Sequence, residues 1–285
     1  MLPTLLMLFE LTAHQAALSA YKQHHYPEAV TQFTEALKSE SPGSPEYEES
    51  VLLLGQSLFL ESKYADAIPW LEKALSGKAP TPEAAYMLGN AAIFTQQSDK
   101  AVKAFAQLFL VSPTSAAAHM LTGRMLLHHD MDVEAARQAK LALQIDQKIP
   151  EAHFLLGEVA ILHAQLDEAI AELKAEIDIN PGFAMAHYRL GDAYSRLEKW
   201  EEAMAPLERS VWLNPNYSGP FILLGKGYLK RGELANADGV LRHALQLDPQ
   251  NRSAHYLLGQ TLMQLGKPDE AKKEMGRWKE LKGDN

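Results

Sequence analysis

The chain has 285 residues, 36 of them acidic and 27 basic, and a formal net charge of -9 at neutral pH. Nucleic-acid binding requires concentrated positive charge, so this composition argues against a nucleic-acid partner. There is no cysteine, which excludes a disulfide framework, a thiolate metal site and a cysteine nucleophile.

The chain opens with an apolar segment, residues 1–9 (MLPTLLMLF), and no lysine or arginine precedes Lys22. A bilayer span needs about 20 apolar residues, so the segment is too short to cross a membrane. The favoured interpretation is that Pro3 opens a helix that leads into the rest of the chain. A clipped export signal and a segment that docks on the protein or touches a membrane are the alternatives. The sequence therefore fits either the cytoplasm or a bacterial periplasm or envelope as the location of the protein.

From residue 10 onward, the sequence repeats with a period of 34 residues. The period is marked by seven glycines, and an alanine takes the equivalent place in a slightly longer first unit: Gly55, Gly89, Gly123, Gly157, Gly191, Gly225, Gly259 and Ala17. Twelve residues after each of these anchors stands an alanine: Ala29, Ala67, Ala101, Ala135, Ala169, Ala203, Ala237 and Ala271. Such a period is typical of one supersecondary unit that is repeated and stacked. Glycine within a helix predicts a close approach of two helix backbones, completed by the alanine.

The first unit differs from the others because it is four residues longer. Its extra length falls at Ser41-Pro42-Gly43-Ser44-Pro45, whose composition is typical of a turn. We interpret this stretch as a lengthened turn between repeats, with a hinge as the alternative.

The unit that begins at Ala184 contains the whole pattern: Leu190-Gly191, Tyr194, Trp200, Ala203, Leu207 and Asn214-Pro215. This pattern resembles the tetratricopeptide repeat family, and the resemblance covers residues 10–285, with units that start near residues 10, 48, 82, 116, 150, 184, 218 and 252. The resemblance implies an all-α fold, a right-handed superhelical solenoid of eight antiparallel helix pairs. It also implies a concave surface, lined mainly by the first helix of each pair, that binds a peptide or another protein. It implies no catalytic residues.

The face that the family turns inward can be read from the sequence. On each first helix, residues three before the anchor and one, four and five after it share one face. This face is apolar and aromatic from Leu52 to Leu162 and polar and partly basic thereafter. The candidate binding residues are Phe59, Tyr86, Asn90, Phe94, Met120, Arg124, Leu127, Phe154, Ile161, Tyr188, Arg189, Arg196, Lys226 and Lys230. A matching ligand would be apolar, with an acidic end.

Four histidines stand four residues before successive anchors: His119, His153, His187 and His255. Residues one repeat apart are separated by about 10 Å, the distance between packed helices, whereas zinc ligands lie about 2 Å from the ion. We therefore predict packing positions and no metal site. The chain also lacks a phosphate-binding loop, a nucleophile elbow and a His-Glu-x-x-His pair.

These observations predict a non-enzymatic scaffold or adaptor that binds a peptide or partner-protein segment, with no cofactor and no small-molecule substrate. An envelope assembly or secretion accessory protein is the alternative, and it depends on an export signal at the N-terminus. A third interpretation is the recognition arm of an enzyme whose catalytic domain lies outside this sequence.

Overall fold

The structure is a computed structural model that describes residues 12–77 and 80–281, and the regular structure in these two ranges is entirely α-helical. Contacts divide the chain into two compact units, unit 1 (Met1–Gln147) and unit 2 (Lys148–Asn285). The boundary falls between two repeats, and nothing in the 34-residue spacing marks it. Residues 1–9 lie outside the described ranges, so the interpretations of that segment stay predictions.

Each unit consists of four helix pairs. Unit 1 contains α1 (Ala13–Lys22), α2 (Tyr26–Ala36), α3 (Pro45–Leu60), α4 (Tyr64–Leu75), α5 (Pro82–Phe94), α6 (Ser98–Leu108), α7 (Ala116–His128) and α8 (Asp132–Ile145). Unit 2 contains α9 (Ala152–Leu162), α10 (Leu166–Ile179), α11 (Ala184–Arg196), α12 (Trp200–Leu213), α13 (Ser218–Lys230), α14 (Leu234–Leu247), α15 (Arg252–Gln264) and α16 (Pro268–Glu280). The predicted all-α fold of eight helix pairs is confirmed. None of these helices is both long and apolar enough to cross a membrane.

Every first helix ends in the same backbone turn. The residue seven positions after each anchor has a positive φ: His24, Ser62, Gln96, Asp130, Ala164, Glu198, Gly232 and Gly266. The next backbone N–H donates to a carbonyl five residues earlier, as Lys63 does to Leu58 at 2.9 Å, and this bond satisfies a carbonyl at the helix end. Gly232 (φ 77°) and Gly266 (φ 72°) adopt this conformation without a Cβ penalty. The shared turn brings each second helix back along the first.

The lengthened turn of the first repeat contributes residues to a helix. The Ser44 side chain accepts a hydrogen bond from the Tyr47 N–H, and Pro45 occupies the first helical position, where its missing N–H costs nothing. Helix α3 therefore has 16 residues, whereas α5 has 13. Part of the extra length lies in α3 and not in the turn.

The anchors pack differently from the prediction in one respect. All eight alanines are completely buried, at 0% exposure, as predicted. Six of the seven glycines, all except Gly123, instead make room for a side chain sixteen residues later on the second helix. A Cβ on Gly225 would stand 2.4 Å from Leu241 Cγ, and one on Gly89 would stand 2.5 Å from Phe105 Cε1. At these six glycines, mainly a bulky side chain fills the space that the missing Cβ leaves.

Candidate functional site

In unit 1, four rings contact one another across three repeats, and we call them the aromatic row: Phe59, Tyr64, Phe94 and His129. The ring centroids of Phe59 and Tyr64 are 5.3 Å apart, and those of Tyr64 and Phe94 are 4.5 Å apart in a stacked arrangement. Phe94 then meets the His129 ring edge to face at 4.9 Å. Phe94 and the neighbouring Leu60 remain 39% and 42% exposed. The row therefore gives unit 1 an apolar surface that solvent reaches.

The polar groups beneath this surface are paired internally. Asn90 is 2% exposed, its Nδ2 donates to the Tyr86 carbonyl at 2.8 Å, and its Oδ1 accepts from His129 Nε2 at 2.7 Å. Nearby, the Tyr21 hydroxyl donates to Gln56 Oε1 at 2.7 Å. Burial lowers the pKa of His129, and the adjacent His128 lowers it further. The lowered pKa favours the neutral ring, and the hydrogen bond to Asn90 Oδ1 assigns its proton to Nε2.

Most of the predicted residues in unit 1 keep exposed surface: Phe59, Tyr86, Phe94, Arg124 and Leu127. Asn90 and Met120 are buried. Their expected place on a binding surface is therefore corrected, because a buried side chain supports the surface without touching a ligand. The Asn90 amide in particular is already used by Tyr86 and His129.

Unit 2 carries two aromatic pairs that are related by one repeat. Phe154 meets Phe183 edge to face at 4.9 Å, and Tyr188 meets Tyr217 in the same way at 5.3 Å. Each pair joins a first helix to the residue that precedes the next first helix. Burial, followed by the neighbouring Tyr217, raises the pKa of Tyr188 to about 12. Its hydroxyl therefore stays protonated and able to donate a hydrogen bond.

Glu176 on α10 supports the start of α9, where Phe154 lies. Its Oε1 accepts from the Glu151 N–H at 3.0 Å, and its Oε2 accepts from the Phe154 N–H at 3.4 Å. Burial raises the pKa of this carboxyl group, and the two backbone hydrogen bonds oppose the rise. At the equivalent positions of neighbouring repeats stand Ala142 and Ser210. A glutamate where neighbouring repeats have small residues indicates, from the sequence alone, that position 176 differs in role from its equivalents.

The two arginines predicted for unit 2 are engaged in ion pairs. Arg189 contacts Glu158 at 2.9 Å, and Arg196 contacts Asp192 at 3.0 Å. Each guanidinium is balanced by a carboxylate, and the place of both arginines on the binding surface stays a prediction. Ile161 is also buried. Its expected place on the binding surface is therefore corrected, as it is for Asn90 and Met120.

The two lysines of α13 are placed differently. The Lys226 ammonium lies 5.3 Å from the centre of the Trp200 ring, within the range of a cation–π contact. Lys230, one helical turn further on, is exposed. Among the described residues, neither lysine forms an ion pair or a hydrogen bond. We call Lys226 and Lys230 the lysine pair.

Sequence reasoning missed several rings that complete these surfaces. Tyr64 and Trp200 each begin a second helix, nine residues after an anchor. Phe183 and Tyr217 each stand directly before a first helix. Because the members of each set share one repeat position, comparing aromatic residues by repeat position would have found them.

The four histidines that precede anchors are half-buried or buried. Three of the rings contact the second helix of their own repeat through Nδ1: His119 with Gln138 at 2.7 Å, His153 with Glu172 at 2.6 Å, and His255 with Glu274 at 2.6 Å. His187 instead donates from Nε2 to the Pro181 carbonyl at 3.1 Å. Within residues 12–77 and 80–281, no group of three or more potential ligands is placed to hold a metal ion.

The eight helix pairs, the buried alanines and the exposed first-helix surfaces define a repeat protein of the helix-pair class. Two family models described as tetratricopeptide repeat match the chain, one over residues 14–85 and 154–218 and the other over residues 58–125 and 228–285. The chain belongs to the tetratricopeptide repeat family. No curated protein sequence matches it.

Solved structures share the fold. MamA from Desulfovibrio magneticus is 22% identical with a TM-score of 0.54, and the match covers 60% of this chain and 97% of that one. YrrB, described as a tetratricopeptide repeat protein with an unusual peptide-binding site, is 19% identical with a TM-score of 0.55, and the match covers 66% and 95%. The Cut9-Hcn1 assembly is 17% identical with a TM-score of 0.53, and the match covers 89% and 49%. At these identities the likeness shows the fold alone.

Proposed function

We propose that this protein is a non-enzymatic interaction scaffold that binds peptides or segments of partner proteins on the first-helix surfaces of its units. The observation that carries the proposal is the apolar surface of unit 1. There Phe94, in the aromatic row, is 39% exposed, and the neighbouring Leu60 is 42% exposed. Contiguous exposed apolar surface usually marks an interaction site. YrrB, which shares the fold and has a peptide-binding site, supports the same use of these helix pairs.

The two units favour different ligand chemistry. The aromatic row of unit 1 favours aliphatic and aromatic side chains. The lysine pair of unit 2 favours carboxylates, either acidic side chains or a free C-terminus, because two ammonium groups stand one turn apart without an anionic partner among the described residues. Segments that carry apolar residues therefore fit unit 1, and segments that carry acidic residues fit unit 2.

Selection from a library of random linear peptides displayed on phage, with the full chain as bait, tests the proposal. The enriched peptides are then measured against Leu60→Ser/Phe94→Ser, which removes exposed apolar surface from unit 1. A matched control is Phe109→Ser/Leu110→Ser, which removes two apolar side chains that are 49% and 92% exposed at the end of α6. Circular dichroism establishes first that both variants are folded.

We expect the enriched peptides to bind the control variant and to lose affinity for the Leu60/Phe94 variant or for a variant of the lysine pair. Peptides that bind all of these variants as tightly as the unmodified chain would show that the ligand binds elsewhere.

A further inference from the structure

We infer that the aromatic row of unit 1 is an acid-sensitive binding surface, which holds an apolar ligand while His129 is neutral and releases it when the ring takes a second proton. This inference rests on the proposed function and concerns the regulation of the same surface. Three features carry it: the place of His129 in the row, the tautomer that Asn90 imposes, and a ring nitrogen without a hydrogen-bond partner.

The first feature is that His129 lies within the apolar surface. Its ring meets Phe94 edge to face at 4.9 Å and is partly exposed, as Phe94 is. A ligand that covers Phe94 therefore also removes water from around the imidazole. The free energy of that step depends on the protonation state of the ring, because a charged group loses more hydration than a neutral one.

The second feature is that Asn90 determines which nitrogen of the neutral ring carries the proton. Asn90 Nδ2 donates to the Tyr86 carbonyl at 2.8 Å, and because a carbonyl only accepts, the opposite end of the amide, Oδ1, faces the imidazole. This oxygen accepts from His129 Nε2 at 2.7 Å. The neutral ring is therefore protonated at Nε2, and a second proton goes to Nδ1.

The third feature is that Nδ1 of His129 has no hydrogen-bond partner among the described residues. In the neutral ring Nδ1 is a lone pair, whereas in the imidazolium it is a charged donor that needs an acceptor. Water is the acceptor while the surface is open, and an apolar ligand takes that water away. Covering a charged donor without a partner is costly, so the ligand and the second proton oppose each other. The Nε2 bond to Asn90 persists in both states, so the charge changes while the contact remains.

The charges around the ring confine its protonation to mild acid. Burial lowers the pKa of His129 from the ordinary value of 6.5, the adjacent His128 lowers it further, and Asp130 opposes these effects. Other charged residues of the neighbouring elements add no further shift: Lys63 before α4, Arg124 in α7 and Asp132 at the start of α8. The row therefore has its neutral, binding form at neutral pH.

The pH dependence of binding has a definite direction. Because a covered imidazolium is disfavoured, the pKa of His129 should be lower in the complex than in the free protein. Between these two pKa values the free protein binds more protons than the complex, so affinity falls as the pH falls through that window. One proton is involved, so the fall is at most about tenfold for each pH unit.

Histidine-free peptides from the phage selection, made at about pH 7.5 and dependent on Leu60 and Phe94, are the probes. Isothermal titration at about pH 7.5 and about pH 5 compares affinities, and circular dichroism checks the fold at both. The unmodified chain should bind at least about threefold more weakly at the lower pH. His129→Gln keeps an N–H for Asn90 without a titrating group, so its loss should be smaller. The control His163→Gln, at an exposed position of unit 2, should behave as the unmodified chain does.

A charged variant and the ring itself provide two further measurements. Lysine at position 129 holds its charge at about pH 7.5, so His129→Lys should bind the same peptides weakly at both pH values. Nitrogen chemical shifts of the His129 ring should show the proton of the neutral form on Nε2. The pKa read from these shifts should fall when a peptide is bound, because the coupling between ligand and proton is reciprocal.

The contrary outcomes separate this inference from the proposed function. Equal affinity at both pH values, or an equal loss in the unmodified chain and His129→Gln, would overturn the role of His129 and leave the proposed function standing. A folded His129→Lys variant that binds as tightly as the unmodified chain, or a neutral ring protonated at Nδ1, would overturn it as well. A selection without any peptide that depends on Leu60 and Phe94 would overturn the apolar binding surface itself, and the inference with it.

Discussion

Unit 1 and unit 2 contain the same helix pair four times each, yet their first helices present different chemistry. In unit 1, amides lie beneath exposed rings, as Asn90 does beneath the aromatic row. In unit 2, three of the four residues at the same repeat position are charged: Glu158 and Asp192 form ion pairs, and Lys226 contacts Trp200. The position directly after the anchor is polar in all seven glycine-anchored repeats. The core therefore keeps one pattern in both units, while the surface beside it varies.

A test of the shared core gives the largest expected effect. Ala101 in unit 1 and Ala169 in unit 2 are both completely buried at the same repeat position. Replacing either by leucine forces extra volume into a packed contact, so each variant should lose about 1 to 3 kcal/mol of unfolding free energy. Chemical denaturation measures the loss, and Ala171→Leu, at an exposed position of α10, is the control.

Equal losses at Ala101 and Ala169 would support one packing pattern in both units. An Ala169→Leu variant as stable as the unmodified chain would contradict the packing assignment, provided that Ala171→Leu is also unaffected.

The aromatic row should dominate peptide binding by unit 1. Phe94→Ala removes a ring that touches both Tyr64 and His129. Truncated aromatic anchors typically cost about 2 kcal/mol, or roughly thirtyfold in affinity, and the loss should be similar at low and high salt. Isothermal titration with a peptide selected on the full chain measures it. Phe109→Ala is the control, and an equal loss in both variants would mean that the row is not the contact.

The sequence predicts some features of this molecule and not others. The difference lies in whether a residue packs within its own repeat or against residues of other repeats. The helix pairs are predictable because glycine and alanine recur at fixed intervals, and each has a packing role within its own repeat. Exposure on the binding face is less predictable, because it depends on neighbours in other repeats. Arg189 was expected to face a ligand, and the sequence alone did not indicate that Glu158, 31 residues earlier, pairs with it. Asn90 was expected to bind a ligand, but His129, 39 residues later, uses its amide.

The lysine pair should act mainly through long-range attraction. Lys226→Ala/Lys230→Ala removes two positive charges from one face of α13. Because salt screens exposed charges, affinity for an acidic peptide should fall by about tenfold at low salt and by much less at high salt. The same titration on Lys272→Ala/Lys273→Ala, on exposed positions of α16, provides the control. A loss that persists at high salt would indicate that the lysines make close, desolvated contacts.

One histidine in each unit should make stability fall in mild acid. Burial lowers the pKa of His129 in unit 1 and of His187 in unit 2 from the ordinary value of 6.5. Between the lowered pKa and 6.5 the unfolded chain binds more protons than the folded one, so unfolding free energy decreases as the pH falls through that window. His129→Gln/His187→Gln should show a smaller decrease in urea denaturation between about pH 7.5 and about pH 5.5. An unchanged decrease would assign the pH dependence to other groups.

The smallest expected effect concerns the apolar segment at the start of the chain, residues 1–9. We expect the segment to contribute to the stack or to targeting and not to partner selection, so it should not compete with a ligand of the aromatic row. Deleting it should leave the affinity of selected peptides within about a factor of three, or roughly 0.6 kcal/mol. Isothermal titration of the deleted and unmodified chains measures the difference. A tenfold gain on deletion would mean that the segment occupies the surface itself, and the difference between the two units would then be partly one between a covered and an open face.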